Sequence, residues 1–152
     1  MMVSETSAEV TRHLGVPPER VFAAFASADR VARWLSPSAE ISLEVLSYDF
    51  RVRGAYRFAY RIPGGAVMHV RGAFREIEPP WRLIFSWMIE PPDEHAGIES
   101  EVRVSLAPVA GGCVLTIVHE RLDRPGAAER HRAGWKGALD RLDLLLRTGT
   151  QR

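Results

Sequence analysis

The chain has 152 residues, of which 46% are hydrophobic and 26% are charged, and its formal net charge at pH 7 is +1. This composition is typical of one soluble globular domain, and a domain of about 150 residues buries roughly two-thirds of its unfolded surface. Because basic and acidic residues nearly cancel and do not cluster, a nucleic acid is not an expected partner. We predict one domain over residues 1–152, with a core from about residue 10 to 147.

The cysteine content and the amino-terminal segment indicate the compartment. Cys113 is the single cysteine, so neither a disulfide framework nor a cysteine-based metal site is predicted. The longest apolar stretch, residues 21–26, is too short to span a bilayer, and no membrane partner is predicted. We therefore expect a cytoplasmic protein. The basic residues are almost all arginine, Lys136 being the single lysine, which is typical of a GC-rich bacterial genome.

The first predicted elements are a strand and two short helices. Residues 10–14 alternate between apolar and polar, as a strand does. Pro18 suits the first helical position and Glu19 the positive end of the helix dipole. Ser27 then predicts the N-cap of a second short helix that ends at Leu35, before a Ser-Pro pair.

Between residues 41 and 119 the hydrophobic period is two, which is typical of β-strands. Six strands are predicted there, separated by Gly- and Pro-rich turns and by a polar loop at residues 90–97. The strands cover residues 41–45, 56–62, 67–77, 81–89, 98–106 and 113–119. Successive strands joined by tight turns predict an antiparallel meander.

The chain ends in a long predicted helix over residues 130–146, whose apolar residues recur at three- and four-residue spacing. Gly134 fits a close approach of this helix to the sheet. The stripe consists of His131, Trp135, Ala138, Leu139, Leu142, Leu145 and Leu146. One helix must cover one sheet, so we predict an α+β fold in which the helix lies across a curved sheet. The space between them is either packed solid or left as a pocket.

Strand alternation assigns the two faces of the sheet. The concave face is predicted to carry Tyr56, Phe58, Tyr60, Leu83, Phe85, Trp87, Ser100, Val102, Val104, Leu115, Ile117 and His119. The convex, solvated face is predicted to carry Arg57, Arg61, Arg82, Glu99, Glu101 and Arg103. A mostly apolar concavity with a few polar groups is typical of a ligand site. The alternative is a filled interior, in which each polar tip finds a backbone partner.

A small hydrophobic molecule is the predicted partner. Its predicted contact residues are Trp34, Tyr56, Phe58, Tyr60, Phe85, Trp87, Ser100, Val102, Ile117, His119, His131 and Trp135. His119 and His131 are expected to meet at one end of the cavity, and with Tyr60 they are candidate proton handlers. A structural role is the alternative for both histidines. The spacing of the five histidines predicts no metal site, and no cofactor is predicted.

Four stretches in this order resemble a known family. They are residues 17–22 with Trp34 and Leu35; residues 49–54; residues 72–87; and His119 with the later Gly134-Trp135. The chain resembles the START-like superfamily, which has the helix-grip fold of the birch-pollen allergen. Within it, the chain is similar to the branch named after the activator of heat-shock protein ninety ATPase. The resemblance covers essentially residues 10–146.

The resemblance implies several kinds of function, because fold alone does not define function. Members bind hydrophobic molecules in the cavity, act as cyclases or dehydratases on polyketide-like or aromatic substrates, or contact other proteins. A protein partner or a homodimer therefore stays open beside the small molecule. One departure is Arg53, which replaces the first glycine of the family's Asp-x-Arg-x-Gly-Gly turn; if that glycine has positive φ, Arg53 is expected to force a different turn.

Overall fold

The computed structural model describes residues 5–148, in which a strand and two short helices precede six strands and a long helix. The elements are β1 (Ala8–Leu14), α1 (Pro18–Ala23), α2 (Ala28–Val31), β2 (Ser42–Tyr48), β3 (Ala55–Arg61), β4 (Val67–Glu78), β5 (Arg82–Ile89), β6 (Ser100–Val109), β7 (Gly112–Glu120) and α3 (Ala127–Thr148). The predicted α+β helix-grip fold is confirmed. The outermost residues of the predicted domain, 1–4 and 149–152, lie outside the described part of the chain.

All strands join one antiparallel sheet in the order β1-β7-β6-β5-β4-β3-β2. The meander from β2 to β7 is as predicted, and β1 adds a seventh strand by pairing with β7 from Ala8↔His119 to Leu14↔Cys113. The register shifts between Val45 and Ser47 and again between Phe74 and Glu76. Such bulges increase the local twist, which helps the sheet to curve around α3.

The helices follow the predicted end signals with two differences in length. Ser27 caps α2 by accepting a hydrogen bond from the Arg30 N–H at 3.3 Å, yet α2 ends at Val31 and not at Leu35. Trp34 turns inward instead, and its Nε1–H donates to the Ala24 carbonyl at 3.0 Å. The long helix begins three residues earlier than predicted. Within residues 5–148 no helix has the length and apolar character needed to cross a membrane.

The two faces of the sheet are those that alternation predicts. Phe58, Phe85 and Val102 are buried on the concave face, whereas Arg57 and Arg61 are exposed on the convex face. On α3, Ala138 and the leucines of the predicted stripe belong to the core or pack against it, with Leu139 and Leu142 fully buried. The core therefore lies between the concave face and one side of α3.

One expectation about local backbone geometry was wrong, and Arg53 adopts a backbone conformation that is uncommon for residues other than glycine. A Cβ added to Gly134 would meet only the Pro37 Cβ, at 3.9 Å, so Gly134 is not the point of closest approach. That point is Gly137, where a Cβ would lie 1.9 Å from the Pro37 carbonyl oxygen, and the neighbour is the loop after α2, not the sheet. Arg53 does not avoid the left-handed region: its φ is 71°.

Candidate functional site

The candidate site is a cavity of about 390 Å³ between α3, the loop that follows α2, and strands β3 to β5. Its volume lies within the range of about 300–1,000 Å³ that is usual for small-molecule sites. It is lined by Leu35, Ser36, Pro37, Ile41, Tyr60, Ile62, Met68, Trp87, Ile89, Arg130, His131, Ala133, Gly134, Trp135 and Ala138. Most of these side chains are apolar, so the cavity favours a ligand with a large apolar surface.

The cavity exists because the covering helix contributes small residues at this end. Ala133, Gly134 and Ala138 lie on the wall formed by α3, and none of them carries an atom beyond Cβ. Pro37 forms the facing rim and is exposed. Its carbonyl contacts α3 at Gly137, which sets the distance between the helix and the loop.

The hydroxyl groups on the wall are already bonded to the backbone. Tyr60 Oη donates to the Leu35 carbonyl at 3.0 Å, and burial raises the pKa of this phenol well above its ordinary value. Ser36 Oγ donates to the Ser38 carbonyl at 3.2 Å and accepts from Arg141. A buried phenol with a raised pKa does not release its proton readily, so Tyr60 is unsuited to the predicted role of a proton handler.

The charged residue on the wall, Arg130, is neutralised by Asp93. Arg130 Nη1 and Nη2 donate to the two oxygens of Asp93 at 2.8 and 2.9 Å, in the bidentate geometry of a strong pair. These hydrogen bonds from Arg130 lower the pKa of Asp93 to about 2. The same guanidinium also contacts His95 Nδ1 at 2.7 Å and Met68 Sδ at 3.1 Å. The pair ties the loop between β5 and β6 to α3 and leaves no net charge at the cavity.

Behind the cavity, His119 takes part in a closed hydrogen-bond chain. Trp135 Nε1–H donates to His119 Nδ1 at 3.0 Å, so the neutral imidazole carries its proton on Nε2. Nε2–H then donates to Ser100 Oγ at 2.7 Å, and the serine hydroxyl donates to the Trp87 carbonyl at 2.8 Å. Burial lowers the pKa of His119 well below its ordinary value, which keeps the ring neutral. His119 has no nitrogen free for a substrate.

His131 differs from His119 because one of its nitrogens is free. His131 Nδ1–H donates to the Ala127 carbonyl at 2.8 Å, one helical turn earlier. No other hydrogen bond within residues 5–148 involves this ring, so in the neutral form Nε2 keeps a free lone pair. Desolvation by burial lowers the pKa of His131 and favours that neutral form. As predicted, the two histidine rings meet, with centroids 4.8 Å apart.

Trp87 carries the one buried side-chain nitrogen or oxygen that lacks a hydrogen-bond partner in the described chain, namely Nε1. Its indole lies edge-to-face with His131, at a centroid distance of 6.4 Å, and 5.7 Å from the indole of Trp135. An unpaired buried donor costs about 1–3 kcal/mol. Two unused polar groups, the Nε1–H of Trp87 and the Nε2 lone pair of His131, therefore belong to neighbouring rings of the cavity wall.

The predicted contact residues divide into two groups. Tyr60, Trp87, His131 and Trp135 line the cavity. Trp34, Tyr56, Phe58, Phe85, Ser100, Val102, Ile117 and His119 are buried around it without lining it. Apart from Trp34, which lies in the segment after α2, the second group belongs to the strands that form the filled part of the concave face.

Several lining residues were missed by the sequence analysis. Met68 lies opposite Tyr60 in the β3–β4 register, and Ile62 continues the alternation of β3, so the strand pattern contained a signal for both. Arg130 and Pro37 carried no such signal, because their positions depend on contacts between α3 and distant loops. No group of three or more His, Cys, Asp or Glu side chains with the geometry to hold a metal ion is found among residues 5–148.

Comparison with known proteins adds a family match and structural neighbours. The family model described as Activator of Hsp90 ATPase homolog 1-like protein matches residues 15–147. A protein from Chromobacterium violaceum with a known crystal structure shares 30% sequence identity with this chain. The two structures superpose with a TM-score of 0.83, and the match covers 92% of this chain and 96% of that chain. No curated protein matches the sequence.

Two further solved structures are similar. A protein from Rhodobacter sphaeroides is 26% identical, with a TM-score of 0.78, over 94% of this chain and 93% of that chain. DynU16, from the dynemicin biosynthetic locus, is 25% identical, with a TM-score of 0.74, over 95% of this chain but only 48% of that chain.

Proposed function

The chain belongs to the Activator of Hsp90 ATPase homolog 1-like family, a branch of the START-like superfamily, and from this premise we propose that it binds a small hydrophobic molecule between the sheet and α3. The observation that carries the proposal is the cavity of about 390 Å³ with its mainly apolar wall. We further propose that Tyr60, Trp87, His131 and Trp135 contact the ligand, together with Met68. The remaining predicted contact residues support these five from behind.

The enzyme alternative is a cyclase or dehydratase that acts on a polyketide-like or aromatic substrate. The likeness to a protein of the dynemicin biosynthetic locus favours keeping it. Of the three candidate proton handlers, only His131 has a nitrogen that is free of other hydrogen bonds. Binding without catalysis remains our preferred proposal, because Tyr60 and His119 are engaged in other hydrogen bonds and His131 has no second proton handler beside it.

A protein-interaction role would need an exposed apolar surface outside the cavity. The large apolar side chains that are exposed, among them Trp81 at 44% and Leu144 at 62%, lie on separate elements. Single exposed apolar residues are normal on protein surfaces and do not define an interface. We therefore place a protein partner or a homodimer behind the small molecule. Our proposal of a cytoplasmic location is supported by the unpaired, buried Cys113.

The test is binding of a neutral apolar dye, N-phenyl-1-naphthylamine, followed by dye fluorescence and by tryptophan emission. We expect saturable binding with a dissociation constant in the micromolar range, which corresponds to a binding free energy of about −8 kcal/mol. Tryptophan emission should change, because Trp87 and Trp135 both line the cavity. Native mass spectrometry of the freshly purified protein would show whether a small molecule copurifies.

A variant that fills the cavity makes this test specific. Gly134→Leu extends a side chain from the helix wall into the cavity, and its Cβ meets only the Pro37 Cβ at an ordinary distance. Lys136→Leu is the matched control, since Lys136 is exposed on the same helix. Gly134→Leu should weaken dye binding at least tenfold while the control binds normally. If the folded native protein binds no dye saturably, or if both variants bind equally well, the proposal is wrong.

A further inference from the structure

The polar groups of the cavity wall restrict the chemistry of its ligand. We infer that the ligand is an uncharged apolar molecule with a hydroxyl group, which donates to His131 Nε2 and accepts from Trp87 Nε1–H. This inference rests on the proposed function and deepens it. The inference depends on which wall groups are free and which are already bonded.

The first step is that the wall offers no free charge. Arg130 is the one residue with a permanent charge among those that line the cavity, and both of its terminal nitrogens are bonded to Asp93. Their remaining hydrogens face His95 Nδ1 and Met68 Sδ. A carboxylate or phosphate on the ligand would have to displace a bidentate partner, so an anionic ligand is disfavoured. A cationic ligand would find no free carboxylate among the lining residues and is disfavoured as well.

The second step is that the wall hydroxyls are already used. The Tyr60 and Ser36 hydroxyls both donate to backbone carbonyls of the segment that follows α2. Tyr60 ties that segment to β3, and turning its hydroxyl toward a ligand would leave the buried Leu35 carbonyl unpaired. Ser36 Oγ is occupied twice, since it also accepts from Arg141. Among the aromatic rings of the wall, the unused polar groups are those of His131 and Trp87.

The third step is the direction of the hydrogen bond at His131. With Nδ1–H bonded to the Ala127 carbonyl, Nε2 acts as an acceptor while the ring is neutral. The charged groups around the ring are Arg130 and Asp93, which neutralise one another, and His95 lies on the same side. Desolvation is the largest influence on the ring and lowers its pKa, so the acceptor form is present at neutral pH. A ligand that binds here must supply a hydrogen.

The fourth step is the donor on the adjacent ring. Trp87 Nε1 is buried without a partner, and its indole stands edge-to-face with His131 at 6.4 Å. A hydroxyl is the common group that donates one hydrogen bond while accepting another. Trp87 Nε1 is shielded in the described conformation, so this second hydrogen bond requires the indole to rotate toward the bound hydroxyl. Because a buried unpaired donor gains a partner in this way, the pair of rings favours a hydroxyl over an amine or an ether.

Four naphthalene probes of similar size test the inference: 2-naphthol, 2-methoxynaphthalene, naphthalene and 2-naphthoate. 2-Methoxynaphthalene can accept from Trp87 but cannot donate to His131, and 2-naphthoate carries a charge. At pH 7.5 we expect 2-naphthol to bind about tenfold more tightly than each of the others, which corresponds to about 1.4 kcal/mol. Affinities are measured by quenching of tryptophan emission and by calorimetry.

Variants at His131 assign the preference to this residue. His131→Phe keeps a ring but removes the acceptor, and it should reduce the preference for 2-naphthol over 2-methoxynaphthalene to about twofold or less. His131→Gln restores an acceptor oxygen and should recover part of it. The matched control is His13→Phe, because His13 is exposed on β1, far along the chain from the cavity wall. Circular dichroism checks that each variant folds. If a variant does not fold, the ranking of the four probes on the native protein tests the hydroxyl preference.

The outcomes separate this inference from the proposed function. If naphthalene and both of its uncharged derivatives bind equally, the cavity binds apolar molecules but the hydroxyl inference is wrong. Tighter binding of 2-naphthoate or 2-methoxynaphthalene than of 2-naphthol contradicts it too. If no probe binds saturably to the folded protein, both the proposed function and this inference fall.

Discussion

The two ends of the concave face differ in how they are filled, although both are lined by aromatic side chains. At one end Phe74 lies within 5.1 Å of the Phe50 ring and 5.3 Å of the Tyr48 ring, measured between centroids. At the other end Trp87 and Trp135 border a cavity of about 390 Å³. We refer to these as the packed end and the cavity end.

The difference between the two ends lies in the elements that cover the sheet. At the packed end, α1 and the β2–β3 connection supply aromatic rings, including Phe22 and Phe50, whose centroids lie 6.2 Å apart. At the cavity end, α3 supplies Ala133, Gly134 and Ala138, none of which carries a side-chain atom beyond Cβ. The covering residues, and not the strands, thus decide where the cavity lies.

The largest expected difference is between two leucines. Leu83 is fully buried at the packed end of β5, whereas Leu35 borders the cavity. Leu83→Ala should lower the free energy of unfolding by about 4 kcal/mol, because its neighbours surround it on all sides. Leu35→Ala should cost about 2 kcal/mol, since part of its surface already lacks packing partners. Urea titration measures both, and equal losses would show that the two ends are packed alike.

The two tryptophans of the cavity wall provide the next contrast. Trp135→Phe removes the donor to His119 Nδ1 and leaves a buried acceptor unpaired, whereas Trp87→Phe removes a donor that has no partner. The volume change is the same. We therefore expect Trp135→Phe to be more destabilising than Trp87→Phe by about 1–3 kcal/mol. Chemical denaturation of both variants checks this, and the reverse order would contradict the hydrogen-bond assignment at His119.

Two glycines of α3 should respond to the same substitution with opposite sign. Gly137→Ala places a Cβ against the Pro37 carbonyl and should destabilise the protein by about 1–3 kcal/mol. Gly134→Ala meets no close atom, so the better helix propensity of alanine should stabilise the protein by up to about 1 kcal/mol. Thermal unfolding of the two variants gives the sign. If both stabilise the protein, the loop after α2 does not limit the approach of the helix.

The histidines at the cavity end predict a dependence of stability on pH. Burial lowers the pKa of both His119 and His131 below the ordinary value of 6.5. The unfolded chain therefore binds protons at a higher pH than the folded protein, and their stabilisation is present above about pH 6.5 and is lost as the pH falls below it. The free energy of unfolding should decrease between pH 7 and pH 5. The decrease should be smaller in His131→Gln, and an unchanged slope would contradict a buried neutral His131.

The strand pattern predicted the concave face well but not the position of the cavity. Phe58 and Trp87 both alternate inward, and that property depends only on neighbours along the same strand. Whether each residue meets a partner or a cavity depends on α3 and on Pro37, which are distant in sequence. The hydrogen-bond chain at His119 was equally hidden, because it joins strands and the helix through contacts with no sequence period. The predicted ligand contacts therefore extend beyond the residues that line the cavity.

The smallest expected effects are on the convex face, and they test whether the difference between the ends is confined to the interior. Arg61 lies behind the cavity end and donates to Glu44 at 2.5 Å, whereas Arg75 lies behind the packed end and donates to Glu99 at 2.5 Å. All four side chains are about half exposed. Exposed ion pairs contribute little, so Arg61→Ala and Arg75→Ala should each change the free energy of unfolding by about 0.5 kcal/mol.

The comparison of these two arginine variants isolates the interior. Each is measured by urea titration against the native protein, and the two shifts should agree within error, because water solvates both pairs alike. A loss of several kcal/mol for Arg61→Ala alone would mean that Arg61 supports the cavity wall through its neighbour Tyr60, so that the convex face takes part in holding the cavity open. A similar large loss for both would instead mean that the stability of the sheet depends on its surface ion pairs as well as on its interior.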